Sequence, residues 1–332
     1  MDGGRILKNE LNVLDLDKYE MSDKTYGGRS GNKIGLLIDE KRYLVKFPGN
    51  LKERNMKNVA LSYSNSPICE YIGSHIYESI GIPVHKTYLG IRKGKVVVAC
   101  EDFCNRLKGE YVAGLDEIKT TTEPDVIKSN GSASDGTSGD LEELLDVVDK
   151  NHLTRNIVGL KERFWDMFVV DALIGNNDRN NGNWGLIIGI EEKRITPVYD
   201  NGNCLNAKWN DEKMEKVICS PELLKKEAYD GRLCFHSING KKINPYHYIM
   251  KMDNEDCNKA VERIFPSIDL DKINDIIEDV HNAGLISDIA AKFYRTIMYE
   301  RYTKVLEPVY GKIKEMNVDK ERTEQYIKGN AR

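Results

Sequence analysis

IGNNDRNNGNWG, Ile174 to Gly185, is the stretch whose reading decides the fold. It follows an apolar run, Leu160 to Ile174, in which Phe164, Phe168 and Ala172 recur at helical spacing, and it leads into a short strand. Asn, Asp and Gly are ordinary turn residues, so taken alone the segment also reads as a polar turn. A calcium loop fails. Counted from Asn176, the sixth position is Asn181 where glycine is needed, and the twelfth is Ile187 in place of glutamate. What sets the segment apart is Asp178 followed five positions later by Asn183.

Catalytic loops for phosphoryl transfer use that spacing: the Asp accepts the proton of the attacking hydroxyl, and the Asn holds a magnesium ion. Asp200 adds weight to it. It closes Ile195 to Tyr199, read as a strand, seventeen positions after Asn183, and it precedes Asn201-Gly202. A carboxylate at a strand end beside such a loop suits a second metal ligand, although Asp-Asn-Gly is also a common hairpin turn. Far upstream, Lys46 lies inside Tyr43-Leu44-Val45-Lys46-Phe47, where a strand lysine reaches the α- and β-phosphates of ATP. Glu70 falls in the first half of a helix with Ser66 as N-cap, Pro67 in the first turn and Gly81 as its stop, and is the natural partner of that lysine. The plainer readings are a solvent-facing lysine and an acid that complements the helix dipole. The Gly-rich run Tyr26 to Gly31 (YGGRSG) lacks the G-x-G-x-x-G spacing and a following helix, which argues against a dinucleotide fold. It also lacks the Gly-Lys-Ser/Thr ending of a P-loop, but its amides can still approach phosphates.

Outward from these residues the chain sorts into strands first and helices later. Lys33 to Asp39 and Arg42 to Phe47 flank a tight turn, and further strands are expected near Lys86 to Ile91 and Lys95 to Ala99. Asp140 with Glu143 marks a helix start, and Ile273, Ile276, Ile277 and Val280 form one amphipathic face. Residues 119–140, rich in Ser, Thr and Gly, read as a mobile loop. The expectation is an α+β fold: a small β-rich lobe, 1–105, on a larger helical lobe, 106–332, with the chemistry at their junction.

The 332 residues are 40% hydrophobic and 31% charged, with a formal net charge of −4, so no basic excess points to nucleic acid. Seven scattered Cys read as reduced thiols. With no signal-like start and no apolar run of membrane length, a cytoplasmic protein is expected.

Asn176-x-Asp178-Arg179 with Asn183, Gly185 and Tyr199-Asp200 resembles the kinase core of HipA-like Ser/Thr protein kinases. Gly31-Asn32-Lys33-Ile34 and Tyr43-Leu44-Val45-Lys46-Phe47-Pro48 resemble that family's phosphate loop and strand lysine. Phe164-Trp165-Asp166-Met167-Phe168 and Gly182-Asn183-Trp184-Gly185 are similar to a compact member of the family. The resemblance runs from about Tyr26 to about Tyr302 and implies a two-lobed protein-kinase-like fold. It implies phosphorylation of Ser or Thr in a protein substrate with ATP and Mg2+. Asp178 would be the catalytic base, Lys46 would contact the phosphates, and Asn183 and Asp200 would hold magnesium. ATP contacts would include Gly28, Ser30, Gly31 and Glu70, and backbone groups of a hinge through Glu101 and Phe103. Ser30 is the candidate for autophosphorylation. The chain departs from the family in two ways. Asn180 stands where His is common, and few residues precede the Gly-rich run, so the antitoxin partner of full-length members is not carried over. Two other readings stay open on the residues alone: a nucleotide-binding pseudokinase that acts through a partner, and a small-molecule phosphotransferase.

Overall fold

The structure, a computed structural model, describes residues 11–26, 32–50, 64–122 and 137–330. Its first lobe is built from β1 (Leu14–Asp15), β2 (Lys33–Ile38), β3 (Lys41–Lys46), helix α1 (Ser66–Ile80), β4 (Thr87–Arg92) and β5 (Lys95–Glu101). The strands form one sheet in the order β1-β4-β5-β3-β2, antiparallel throughout except where β1 joins β4. Between β2 and β3 the chain turns on Asp39 and Glu40, both left-handed (φ 47° and 63°), the geometry of a two-residue hairpin turn.

Strand alternation then fixes which side chains can meet. Tyr43 and Val45 pack with Leu16, Leu36, Ile38, Val97 and Ala99 on the outer face of the sheet. Leu44 and Lys46 therefore face α1, with Leu44 packed against the larger core. That helix buries Ile68, Ile72, Ile76 and Ile80 along one side and stops at left-handed Gly81 (φ 89°). Its N-cap is Asn65, not Ser66. The Ser66 hydroxyl lies 2.9 Å from that of Ser64, and no side chain caps the helix.

The second region starts with β6 (Tyr111–Gly114), α2 (Leu115–Thr120), α3 (Leu141–Lys150), α4 (Leu160–Ile174), β7 (Gly185–Ile188) and β8 (Lys193–Ile195). Strands β6, β7 and β8 form a three-stranded sheet, and Gly185 permits it, since a Cβ there would stand 2.2 Å from the Ala113 carbonyl oxygen. The strand expected at Ile195 to Tyr199 is instead β8; Thr196-Pro197 interrupts pairing, and Val198 makes a single bridge to Val84. Asp140 caps α3 by accepting from the amides of Glu142 and Glu143, as expected. The mobile-loop reading of 119–140 fails at its ends. Lys119 belongs to α2 and is buried, Asp140 is the cap, and 123–136 lie outside the described residues.

The remainder is α5 (Asp211–Ile218), α6 (Pro221–Lys225), the short pair β9 (Ser237–Ile238) and β10 (Lys241–Lys242), then α7 (Pro245–Lys251), α8 (Glu255–Ile264), α9 (Leu270–Asn282), α10 (Asp288–Arg301) and α11 (Glu307–Asn330). One continuous apolar core runs from α1 and β5 through α4 to α10. Among the described residues no helix is long and apolar enough to cross a membrane.

Candidate active site

Lys46, Glu70, Asp178 and Asp200 line one cleft of about 220 Å³ between the five-stranded sheet and the helical region. Lys46 Nζ donates to Glu70 Oε2 and to Asp200 Oδ1, each at 2.8 Å. Glu70, 1% exposed, also accepts from the amides of Asn201 (2.9 Å) and Gly202 (3.0 Å), and its Oε1 lies 3.0 Å from His85 Nε2. Burial alone would raise its carboxyl pKa. The Lys46 ammonium and His85 outweigh burial and hold the group well below the usual carboxylate range. Burial likewise opposes the charge on Lys46, but Asp200 and Glu70 keep its ammonium protonated well above the ordinary lysine value.

This meeting of distant segments depends on close approach. A Cβ on Gly73 of α1 would lie 3.0 Å from Asn201 Cβ and 3.1 Å from Cys204 Sγ. The loop after β8 is bent through three left-handed residues that are not glycine: Asp200 (φ 60°), Leu205 (50°) and Asn206 (57°). Asp and Asn tolerate that region, but Leu205 does so at a cost of about 1–3 kcal/mol.

Behind the cleft, Arg179 ties three segments together while 4% exposed. Its Nε and Nη2 fork onto Asp171 Oδ2 and Oδ1 at 2.8 and 3.1 Å. Its Nη1 reaches the carbonyls of Tyr199 (2.5 Å) and Asn183 (3.2 Å), and Nη2 reaches Asn201 Oδ1 (2.6 Å). Asp171 on α4 also accepts from Tyr77 of α1 (2.8 Å) and from Asn176 (3.1 Å). Asn201 donates to Ser74 (3.0 Å), which lies 3.3 Å from His85. None of Asp171, Tyr77, Ser74, His85 and Asn201 stands out in the sequence. The one local signal is an arginine directly after the loop aspartate.

Within the loop, Asn183 Nδ2 donates to the Asp178 carbonyl at 2.8 Å, which leaves its Oδ1 without a partner among the described residues. Asn180 accepts from Gly182 N (3.0 Å) and donates to Asp178 Oδ1 (3.2 Å), so this asparagine itself supplies an orienting contact to the aspartate. Asp200 lines the cleft and Asn183 does not, but the carboxylate of one and the amide oxygen of the other are both oxygen donors, the kind that a hard ion such as magnesium takes. The Phe103 ring lies 5.7 Å from that of Tyr199. The Glu101 side chain is held by Lys41 (3.2 Å) and Tyr43 (3.3 Å). Gly28, Ser30 and Gly31 lie outside the described residues.

A strand lysine paired to a helix glutamate, set over a helical region that presents Asp178, Asn183 and Asp200, defines the protein-kinase-like class. The chain is 34% identical over 310 residues to serine/threonine-protein kinase CtkA of Helicobacter pylori (strain J99 / ATCC 700824), a match covering 92% of this chain and 90% of that one. The crystal structure of the Helicobacter pylori proinflammatory kinase CtkA superposes with a TM-score of 0.80 at 32% identity, covering 92% of this chain and 99% of the other. HipA of Shewanella oneidensis MR-1, solved with HipB and its operator DNA, gives a TM-score of 0.49 at 13% identity over 90% of this chain and 70% of that one. No family model matches the chain. This chain belongs to the same family as serine/threonine-protein kinase CtkA, and it is a kinase.

Proposed function

We propose that this kinase transfers the γ-phosphoryl group of ATP, with magnesium, to Ser or Thr hydroxyls of proteins, its own chain included. The observation that carries this reading is Lys46, held between Glu70 and Asp200 in the cleft that also presents Asp178. Glu70 fixes the ammonium where it can meet the α- and β-phosphates, and backbone groups from Glu101 to Phe103 receive the adenine edge. Asp178, exposed and steered by Asn180, orients the acceptor hydroxyl. The hydroxyl oxygen bonds to the γ-phosphorus as the bond to the β–γ bridging oxygen breaks. The electron pair leaves with ADP, and the hydroxyl proton goes to Asp178. Asn183 Oδ1 and the Asp200 carboxylate would hold magnesium, whose charge stabilises the β- and γ-oxygens. In this reading residues 1–105 hold the nucleotide and 106–332 supply the base, the metal ligands and the acceptor site. Gly28 and Gly31 add phosphate contacts, and Ser30 is the acceptor on the chain itself.

Intact mass before and after incubation with ATP and magnesium tests this. The expected result is added phosphate that is absent from Asp178→Ala and from Asp200→Ala, with fragmentation placing it on Ser30. An Asp200→Ala protein that keeps full turnover would sink the assignment. Nucleotide binding without transfer to any protein would favour the pseudokinase reading instead.

A further inference from the structure

Beside Asp178 a second groove, about 310 Å³ in volume, opens from the cleft. The two share Asn203, Ala207 and Lys208. Asn177, the residue before Asp178, forms part of its wall and accepts a hydrogen bond from Asn203. A peptide whose hydroxyl sits at Asp178 therefore has this groove next to it.

The lining is cationic. Lys208 is exposed and has no ion-pair partner among the described residues. Arg232, its side chain 14% exposed, donates to Asn206 Oδ1 at 2.8 Å, while its pair with Glu227 is stretched to 3.9 Å. Lys213 Nζ stands 4.0 Å over the Trp209 ring, which also lines the groove. Asp211 and Glu212 follow in the first turn of α5 but do not line it. A second observation points to a ligand. Asn206 is 6% exposed, and with its Oδ1 taken by Arg232 its Nδ2 has no partner. A buried donor left unpaired is destabilising.

We propose that this groove binds acidic side chains that flank the accepting hydroxyl in the substrate, so that the kinase selects acidic peptides. The inference rests on the phosphoryl transfer proposed above. A carboxylate takes the guanidinium donors of Arg232 that Asn206 leaves unused and the ammonium of Lys208, which gains a partner. A basic flank meets repulsion from the same two groups.

The test uses the full chain and Ser peptides identical except for three flanking Glu, Gln or Lys. Affinity is measured by fluorescence anisotropy without ATP, and transfer is measured separately with ATP and magnesium. The Glu peptide is expected to bind at least ~10-fold tighter than the Gln peptide, with the gap closing at high salt. Lys208→Glu and Arg232→Glu should each abolish the preference and shift it toward the Lys peptide. If Arg232→Glu fails to fold, exposed Lys208→Glu still carries the test. Equal binding of Glu and Gln peptides, or a preference that survives Lys208→Glu, overturns the proposal. Because binding is read without ATP, failure of transfer alone speaks against the kinase mechanism and not against the groove. Transfer without any acidic preference does the reverse.

Discussion

Two lysine–glutamate pairs in this protein have the same geometry and different uses. Lys46 meets Glu70 at 2.8 Å, and Lys119 meets Glu143 at 2.8 Å. The second pair is closed. Its side chains are 1% and 2% exposed, Glu143 accepts from Ser138, and its Oε1 has no partner among the described residues. The first opens on the cleft, its lysine side chain 16% exposed and shared with Asp200. The lesson is that pair chemistry and distance do not make a site. A third charged partner and a route to solvent do.

Substituting the lysines separates the two pairs most sharply. Lys46→Met should cut phosphoryl transfer by about 10²–10³-fold, because it removes a preplaced charge from the phosphates. Glu70 keeps His85 and two amides, so melting should shift little. Lys119→Met should do the opposite. It strands a buried carboxylate, costs about 3–5 kcal/mol in denaturant unfolding, and leaves turnover per folded molecule near wild type. Adding Glu143→Leu should recover most of that loss. A Lys119→Met protein that melts normally but transfers no phosphate would erase the distinction between the pairs.

His236 extends the comparison to the closed interior. Buried beside Phe164 and Phe168, its imidazole has a pKa lowered to about 4, since desolvation disfavours the cation. The unfolded chain therefore binds the proton more readily than the folded one. Stability should be full above pH ~6.5 and fall toward pH ~4, by up to about 3 kcal/mol. Urea unfolding across that range checks it, and His236→Phe should flatten the slope.

The smallest effect belongs to Asn180. Asn180→Ala removes a cap and the contact to Asp178, so it should cost about 1 kcal/mol of stability and no more than ~10-fold in kcat, with KM for ATP unchanged. A loss as large as that of Lys46→Met would mean that Asn180 belongs to the chemistry itself.

Much of the site was legible because it is local. Strand alternation puts Lys46 opposite the face of Val45, helix spacing places Glu70 beneath it, and the five-residue step from Asp178 to Asn183 fits one loop. The Ser66 cap was misread because Ser64 lies within reach of the Ser66 hydroxyl, a contact with no sequence signature. Lys119 was read as loop because composition was averaged over a segment whose first residues close a helix.

By itself, then, the sequence determined the β2–β3 hairpin, the main helices on either side of the cleft, and the spacing of Asp178, Asn183 and Asp200. Those follow from backbone periods and turn chemistry that act over a few residues. Tertiary structure alone decided that Glu70 accepts from an amide 131 positions away, that Arg179 joins α4 to the Asp200 loop, and that one lysine pair is sealed while the other faces a cleft. Burial and long-range contact set the local dielectric and the partners of each charge, and neither is written in any short stretch of chain.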